Sequence, residues 1–254
     1  MRFTPRYLLD YRRTYFSQNG EDGVLRHVLS RLPKRDKWCV EFGAWDGMYL
    51  SNTFFFIAKE GYKAVMIEAD KERYNSLLEF KKKYGKIVCI NRFISIDGND
   101  TLDKILKDAD VPTDFDLLSI DVDNDDYHLW KSIKHYQPKV VIIEIQPKDG
   151  PHIRRIKPLG SPPTQDIDKN GTSILSMTEL AEQKGYSLVS HIAGNAIYVK
   201  NEFYNLYHDR KYDPIDFFTF ECHDKHELGF RDKFRRRLEK LRIKKTDLLA
   251  KLEK

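Results

Sequence analysis

The stretch Val40-Glu41-Phe42-Gly43-Ala44-Trp45-Asp46-Gly47 decides the fold. It follows the apolar Trp38-Cys39 and leads through Ser51-Asn52-Thr53 into a helix-like run from Phe54 to Lys59. That order reads as a buried strand, a tight glycine turn and a capped helix. An acid at the end of a strand, followed by a glycine-bearing turn, is how doubly wound α/β proteins hold an adenosyl ligand.

The segments on either side repeat the pattern. Upstream, Ser17-Gln18-Asn19-Gly20-Glu21-Asp22 reads as a helix entry capped by Ser17 or Asn19, with acids suited to a helix N-terminus. Val24, Leu25, Val28, Leu29 and Leu32 follow at helical spacing until Pro33. Downstream, Ala64 to Glu68, Ile87 to Ile90, Phe115 to Ile120 and Val140 to Ile145 are near-continuous apolar runs. Helical segments separate them: one capped by Asp70, one carrying Leu102, Ile105 and Leu106, and one from about Asp125 to His135. Such alternation predicts a parallel sheet covered on both faces. A helix over Met177 to Lys184 and a hairpin around Ala193-Gly194-Asn195 complete it.

Residues 146–170 break the rhythm with Pro147, Pro151, Pro158, Pro162 and Pro163, and carry His152. A loop of that length in a compact domain is functional or mobile, and this one could act as a lid. The chain thus divides into an N-terminal extension and helix (1–36), a ligand-binding core (37–200) and a C-terminal extension (201–254).

Composition narrows the function classes. A hydrophobic fraction of 41% supports a sizeable core. Residues 231–254 hold 11 Lys/Arg against 4 Asp/Glu, leaving the rest with 33 against 35. The near-neutral body argues against nucleic-acid binding. In the tail Phe234, Leu238, Leu241, Lys245, Leu248 and Leu252 keep heptad spacing, which reads as a basic amphipathic helix or a short oligomerisation helix. No apolar run approaches the ~20 residues that span a bilayer. The start, Met1 to Arg6, has no apolar core of a signal peptide. Cys39, Cys89 and Cys222 form no CxxC pair, so a disulfide framework or zinc site is not expected and a reducing, cytoplasmic setting is.

The opening turn then narrows the ligand. A dinucleotide fingerprint G-x-G-x-x-G needs glycines where Trp45 and Met48 stand. What remains is Glu41-x-Gly43-x-x-x-Gly47, suited to a ligand without a pyrophosphate, such as S-adenosylmethionine (SAM). Glu68, at the end of the second strand, stands where an acid bonds ribose hydroxyls.

These motifs, with Ile67-Glu68-Ala69-Asp70 and Leu117-Leu118-Ser119-Ile120-Asp121-Val122-Asp123, resemble the FkbM-like group of SAM-dependent methyltransferases over roughly residues 15–200. The resemblance implies an α/β, Rossmann-like class I methyltransferase fold: a seven-stranded, mostly parallel sheet with helices on both faces and strand 7 antiparallel. It implies Glu41 and Gly43 at the methionine moiety, Glu68 at the ribose, Ser95 near the adenine, Asp121 beside the methyl group, and Gln18 and Asn52 closing the pocket. Where many members read acid-Val-acid-Gly after strand 4, this chain reads Asp121-Val122-Asp123-Asn124.

Methyl transfer to a hydroxyl needs a positioned pair and a proton acceptor. Candidate catalytic residues are Asp121, Glu144 and His152, with Asp123 and His191 as further bases. The expected activity is O-methylation of a small-molecule or carbohydrate acceptor. Two rivals are a divalent-metal-dependent hydrolase or transferase using Asp121 and Asp123, and a scaffold whose basic tail binds a polyanion or membrane surface.

Overall fold

The computed structural model describes residues 4–122, 124–161 and 170–218. Residues 1–220 form one compact unit and 221–254 a second. The second unit lies outside the described residues, as do Cys222 and the heptad segment of the tail.

Seven strands make one sheet. They are β1 (Trp38–Phe42), β2 (Lys63–Glu68), β3 (Ile87–Asn91), β4 (Leu117–Ile120), β5 (Val140–Glu144), β6 (Tyr186–Ile192) and β7 (Asn195–Lys200). Their order is β3-β2-β1-β4-β5-β7-β6. The first five run parallel, and β7 is antiparallel to both neighbours. Sequence order reverses between β1 and β4, so their carboxyl ends form the switch point where open α/β sheets bind ligands.

Side-chain alternation along the strands splits the core in two. Val40, Phe42, Val65, Ile67, Leu118 and Ile120 face one cluster. It is covered by α4 (Leu102–Asp108), α5 (Asp126–Ser132) and α6 (Ile174–Gln183). Cys39, Ala64, Met66, Leu117 and Ile142 face the other. That face is covered by α1 (Glu21–Arg31), α2 (Phe54–Glu60) and α3 (Lys71–Tyr84). Both faces are dry, which is why the strands read as unbroken apolar runs.

Several element ends differ from the sequence reading. Strand β4 starts at Leu117 because Asp116 is wholly buried and turns to other work. Its carboxylate binds Lys139 Nζ at 2.7 Å and the backbone N–H groups of Asp36 and Lys37. This ion pair locks the amino ends of β1, β4 and β5. Helix α6 begins three residues before Met177, since Ser173 accepts from Ser176 N–H and caps it there. Helix α5 stops at Ser132, ahead of the expected His135. Helix α1 has no side-chain cap; Gly20 precedes it in a left-handed conformation. Ser17 Oγ instead accepts from the Asp22 N–H at 3.1 Å.

The chain after β7 folds back onto the face carrying α1. His208 is wholly buried there, ringed by Tyr7, Tyr204, Tyr212 and Phe217. Its Nε2–H donates to the Val189 carbonyl at 3.1 Å. Burial pulls its pKa below the ordinary 6.5, against that bond and Asp209, which pull it up. The unfolded chain therefore binds the proton more readily, and stability falls as pH drops below about 6.5. Buried Asp22 and Glu41, raised by burial, tilt the dependence the other way. Lowering the pH from about 7 to 5 should accordingly lower the urea midpoint of the wild type relative to that of His208→Phe; a difference between the two that does not change with pH would contradict this.

Candidate active site

Each end of the glycine turn is held by a different carboxylate. Glu41 is the first, 5% exposed, flanked in the sheet by Met66 and Ser119. Its oxygens accept from Ser51 Oγ at 2.6 Å, Thr53 Oγ1 at 2.7 Å and the Asn52 N–H at 3.0 Å. Asn52 Nδ2 continues to Ser119 Oγ at 3.2 Å. Thus Glu41 fastens the start of α2 to the end of β1. Burial raises its pKa, and the three hydrogen bonds oppose the rise.

Glu68, also 5% exposed, is the second. One oxygen accepts the Trp45 N–H at 2.8 Å and the other the Asp70 N–H at 2.8 Å. A carboxylate offers about four lone-pair sites, so each oxygen keeps capacity for a ligand hydroxyl. The Gly43 and Ala44 N–H groups both donate to the Ile67 carbonyl, at 3.2 and 3.1 Å, which stitches the turn to β2. Asn91 Nδ2 joins the end of β3 to the carbonyls of Glu68 and Ala69.

Gly43 is where β1 meets β4. Its φ is +79°, and a Cβ there would lie 1.8 Å from the Asp121 carbonyl oxygen. Only glycine allows that approach. Trp45, at φ 49°, stands on the rim at 43% exposed. The Arg73 guanidinium covers its ring at 4.1 Å, and Tyr49 meets it edge-on. Trp45 is therefore a surface platform rather than a core residue.

The remaining expected residues spread along the same edge. Asp121 is exposed just past β4, and Glu144 is half-buried at the end of β5, opposite Asn195. Gln18 is half-buried, one residue from Ser17. Ser95 holds its own turn, with its N–H on the Asp100 carbonyl and its hydroxyl on the Asp97 carbonyl. His191 is buried and stacks on Phe218 at 5.1 Å, inside the fold. His152 is exposed, and nothing among the described residues holds it toward the strand ends. Asp123 lies outside the described residues. Among the described residues no group of three or more His, Cys, Asp or Glu is placed to hold a metal ion.

The segment expected to be a lid is pinned in its described parts. Asn124 Oδ1 accepts from Lys157 Nζ at 2.8 Å and from the Gly171 N–H at 3.1 Å. Asp125 accepts the Gly160 N–H at 3.0 Å, and His128 Nε2 meets the Lys157 carbonyl at 2.8 Å. Asp126 is 2% exposed and accepts from the Val122 and Asn124 N–H groups. Asn124 has φ 134°, a region that favours glycine. Asn124 also uses its side chain to fasten the loop.

Residues the sequence reading missed include Ser119, Asn91, Asn195 and, at the start of α1, Glu21 and Asp22. Their one sequence signal is a polar side chain at the end of an apolar strand, or the Gly-Glu-Asp that opens α1.

The O-methyltransferase family model matches residues 19–138, which carry Glu41, Gly43, Asn52, Glu68, Ser95 and Asp121. No match was found among curated proteins. Among solved structures, TrmK of M. capricolum, bound to S-adenosylhomocysteine, is similar at 14% identity, over 85% of this chain and 84% of that one, with a TM-score of 0.46. A SAM-dependent methyltransferase from Aquifex aeolicus is similar at 13% identity, over 78% and 98%, with a TM-score of 0.44. The N-terminal domain of EvdMO1 with S-adenosylhomocysteine is similar at 13% identity, over 73% and 82%, with a TM-score of 0.45. Likenesses this low carry no argument about function. The family match and the sheet order support a SAM-dependent methyltransferase of the class I, Rossmann-like fold.

Gly43→Ala tests the close approach. Strain at positive φ and overlap with the Asp121 carbonyl should together cost about 2 kcal/mol or more. Urea unfolding measures it; an unchanged midpoint would mean that β1 and β4 do not meet as described.

Proposed function

We propose that this protein is a SAM-dependent O-methyltransferase of the FkbM-like type, acting on a hydroxyl of a small-molecule or carbohydrate acceptor in the cytoplasm. The observation that carries the reading is the pair of buried acids, Glu41 and Glu68, closing a glycine turn at the switch point of a sheet ordered β3-β2-β1-β4-β5-β7-β6. No described helix is long and apolar enough to cross a membrane.

When bound, SAM supplies an electrophilic methyl group on a sulfonium sulfur. The residues fit such a donor: Glu68 retains lone pairs for a diol, and the Gly43 turn keeps side-chain bulk out of the gap between β1 and β4. Gln18, Asn52 and Ser95 are the remaining proposed contacts. Asp121 and Glu144, at the ends of β4 and β5, are the carboxylates proposed to accept the acceptor's proton. His152 is the third candidate, with nothing among the described residues to fix it. The proposed division remains an extension with α1 (1–36), the core (37–200) and a basic C-terminal extension (201–254) that offers a route to self-association.

Calorimetric titration with S-adenosylhomocysteine tests the cofactor assignment. The wild type should bind, and Glu68→Ala should weaken binding roughly tenfold or more through loss of hydrogen bonds to a charged acceptor. A wild type that does not bind, or a variant with unchanged affinity, would refute the reading.

A further inference from the structure

Three carboxylates, Glu21, Asp22 and Glu41, are buried where α1 meets the carboxyl edge of the sheet, at 0%, 0% and 5% exposed. The Asp22 carboxyl adds to the cost of ionising Glu41. Among the described residues none of the three has a basic partner. The protein treats its buried Asp116 differently, pairing it with Lys139. Buried carboxylates without a cation are costly unless protonated or met by a positive group.

The hydrogen bonds show where a positive group is wanted. Asp22 Oδ2 receives three backbone N–H groups, from Tyr15 at 2.9 Å, Phe16 at 2.6 Å and Ser17 at 2.8 Å. Its Oδ1 is equally buried, yet no donor of the protein reaches it. Asn195, at the start of β7, donates its Nδ2–H to Glu21 Oε1 at 3.0 Å, while its own Oδ1 also lacks a donor. Glu41 has no such unmet oxygen, since Ser51, Asn52 and Thr53 occupy both. A primary ammonium brings three N–H donors and one positive charge, and accepts nothing. It matches what Asp22 and Asn195 lack.

We infer that Asp22, assisted by Asn195, seats the α-ammonium group of the cofactor's amino-acid end, while Glu41 shapes the loop beside it. The inference rests on the methyltransferase reading. Under it, the Gly20-Glu21-Asp22 sequence serves two ends. Asp22 Oδ2 closes the chain before α1, and Oδ1 keeps its lone pairs for the ligand.

Two nucleosides separate this from a structural role. S-adenosylhomocysteine carries the ammonium; 5′-methylthioadenosine keeps the adenosine and the thioether and lacks the amino-acid end. In calorimetric titrations Asp22→Asn should weaken S-adenosylhomocysteine roughly tenfold to hundredfold, the scale of a charged hydrogen bond. Its affinity for 5′-methylthioadenosine should stay that of the wild type. Asn195→Ala, which leaves the turn before α1 intact, should show the same selective loss on a smaller scale. Equal loss for both nucleosides in both variants would overturn the proposal in favour of a purely structural role. Unchanged S-adenosylhomocysteine affinity in both variants would overturn it in favour of a buried water or proton at Oδ1. A wild type that binds neither nucleoside overturns the methyltransferase reading itself, and the ammonium seat with it.

Discussion

Glu41 is a negative charge placed almost out of reach of water, and the carboxyl edge of the sheet is built around keeping it satisfied. Its three hydrogen bonds draw Ser51, Asn52 and Thr53 down onto the end of β1. That sets where α2 starts and forces the intervening turn to close within a few residues. The turn can close because Gly43 and Gly47 both take positive φ. Gly43 then lies against the Asp121 carbonyl, and Gly47 against Phe80 and Leu77 of α3. One buried acid thereby couples β1, β4, α2 and α3.

Glu68 repeats the device one strand over, with backbone N–H groups in place of hydroxyls. The difference has chemical meaning. Hydroxyl and amide donors reach both oxygens of Glu41 and fasten the start of α2 to the end of β1. Glu68 receives one donor per oxygen and keeps room for a diol. Asp22 is satisfied on one oxygen alone. The three acids thus differ in how their oxygens are engaged: two donors on one oxygen and one on the other in Glu41, one on each in Glu68, and all three on a single oxygen in Asp22. At the opposite edge Asp116 and Lys139 neutralise each other.

Most of the architecture was legible in the chain. Strands buried on both faces read as apolar runs, and Asp70 marked a helix start as capping chemistry requires. The acids at the ends of β1 and β2 were visible as positions. Their partners were not, because a hydrogen bond between Glu41 and Thr53, or Asn52 and Ser119, depends on how strands pair and not on local pattern. For the same reason the segment after β5 read as a lid. Its prolines and length were plain, whereas its anchorage to Asn124 and Asp125 is a contact between residues more than thirty positions apart. Asn124 shows the limit most clearly. In sequence it is a departure from an expected glycine; in the fold it takes the glycine's backbone conformation and adds a side-chain anchor. The basic heptad tail lies outside the described residues.

On the proposed reading, the end of β1, the end of β2 and the start of α1 jointly hold one adenosyl amino acid. A crystal structure of the protein with S-adenosylhomocysteine tests it most directly. The ribose hydroxyls should lie on Glu68, the sulfur beside Gly43 and Asp121, and the ammonium group against Asp22. Ligand bound away from the carboxyl ends of β1 and β2, or with its amino-acid end turned from α1, would contradict it.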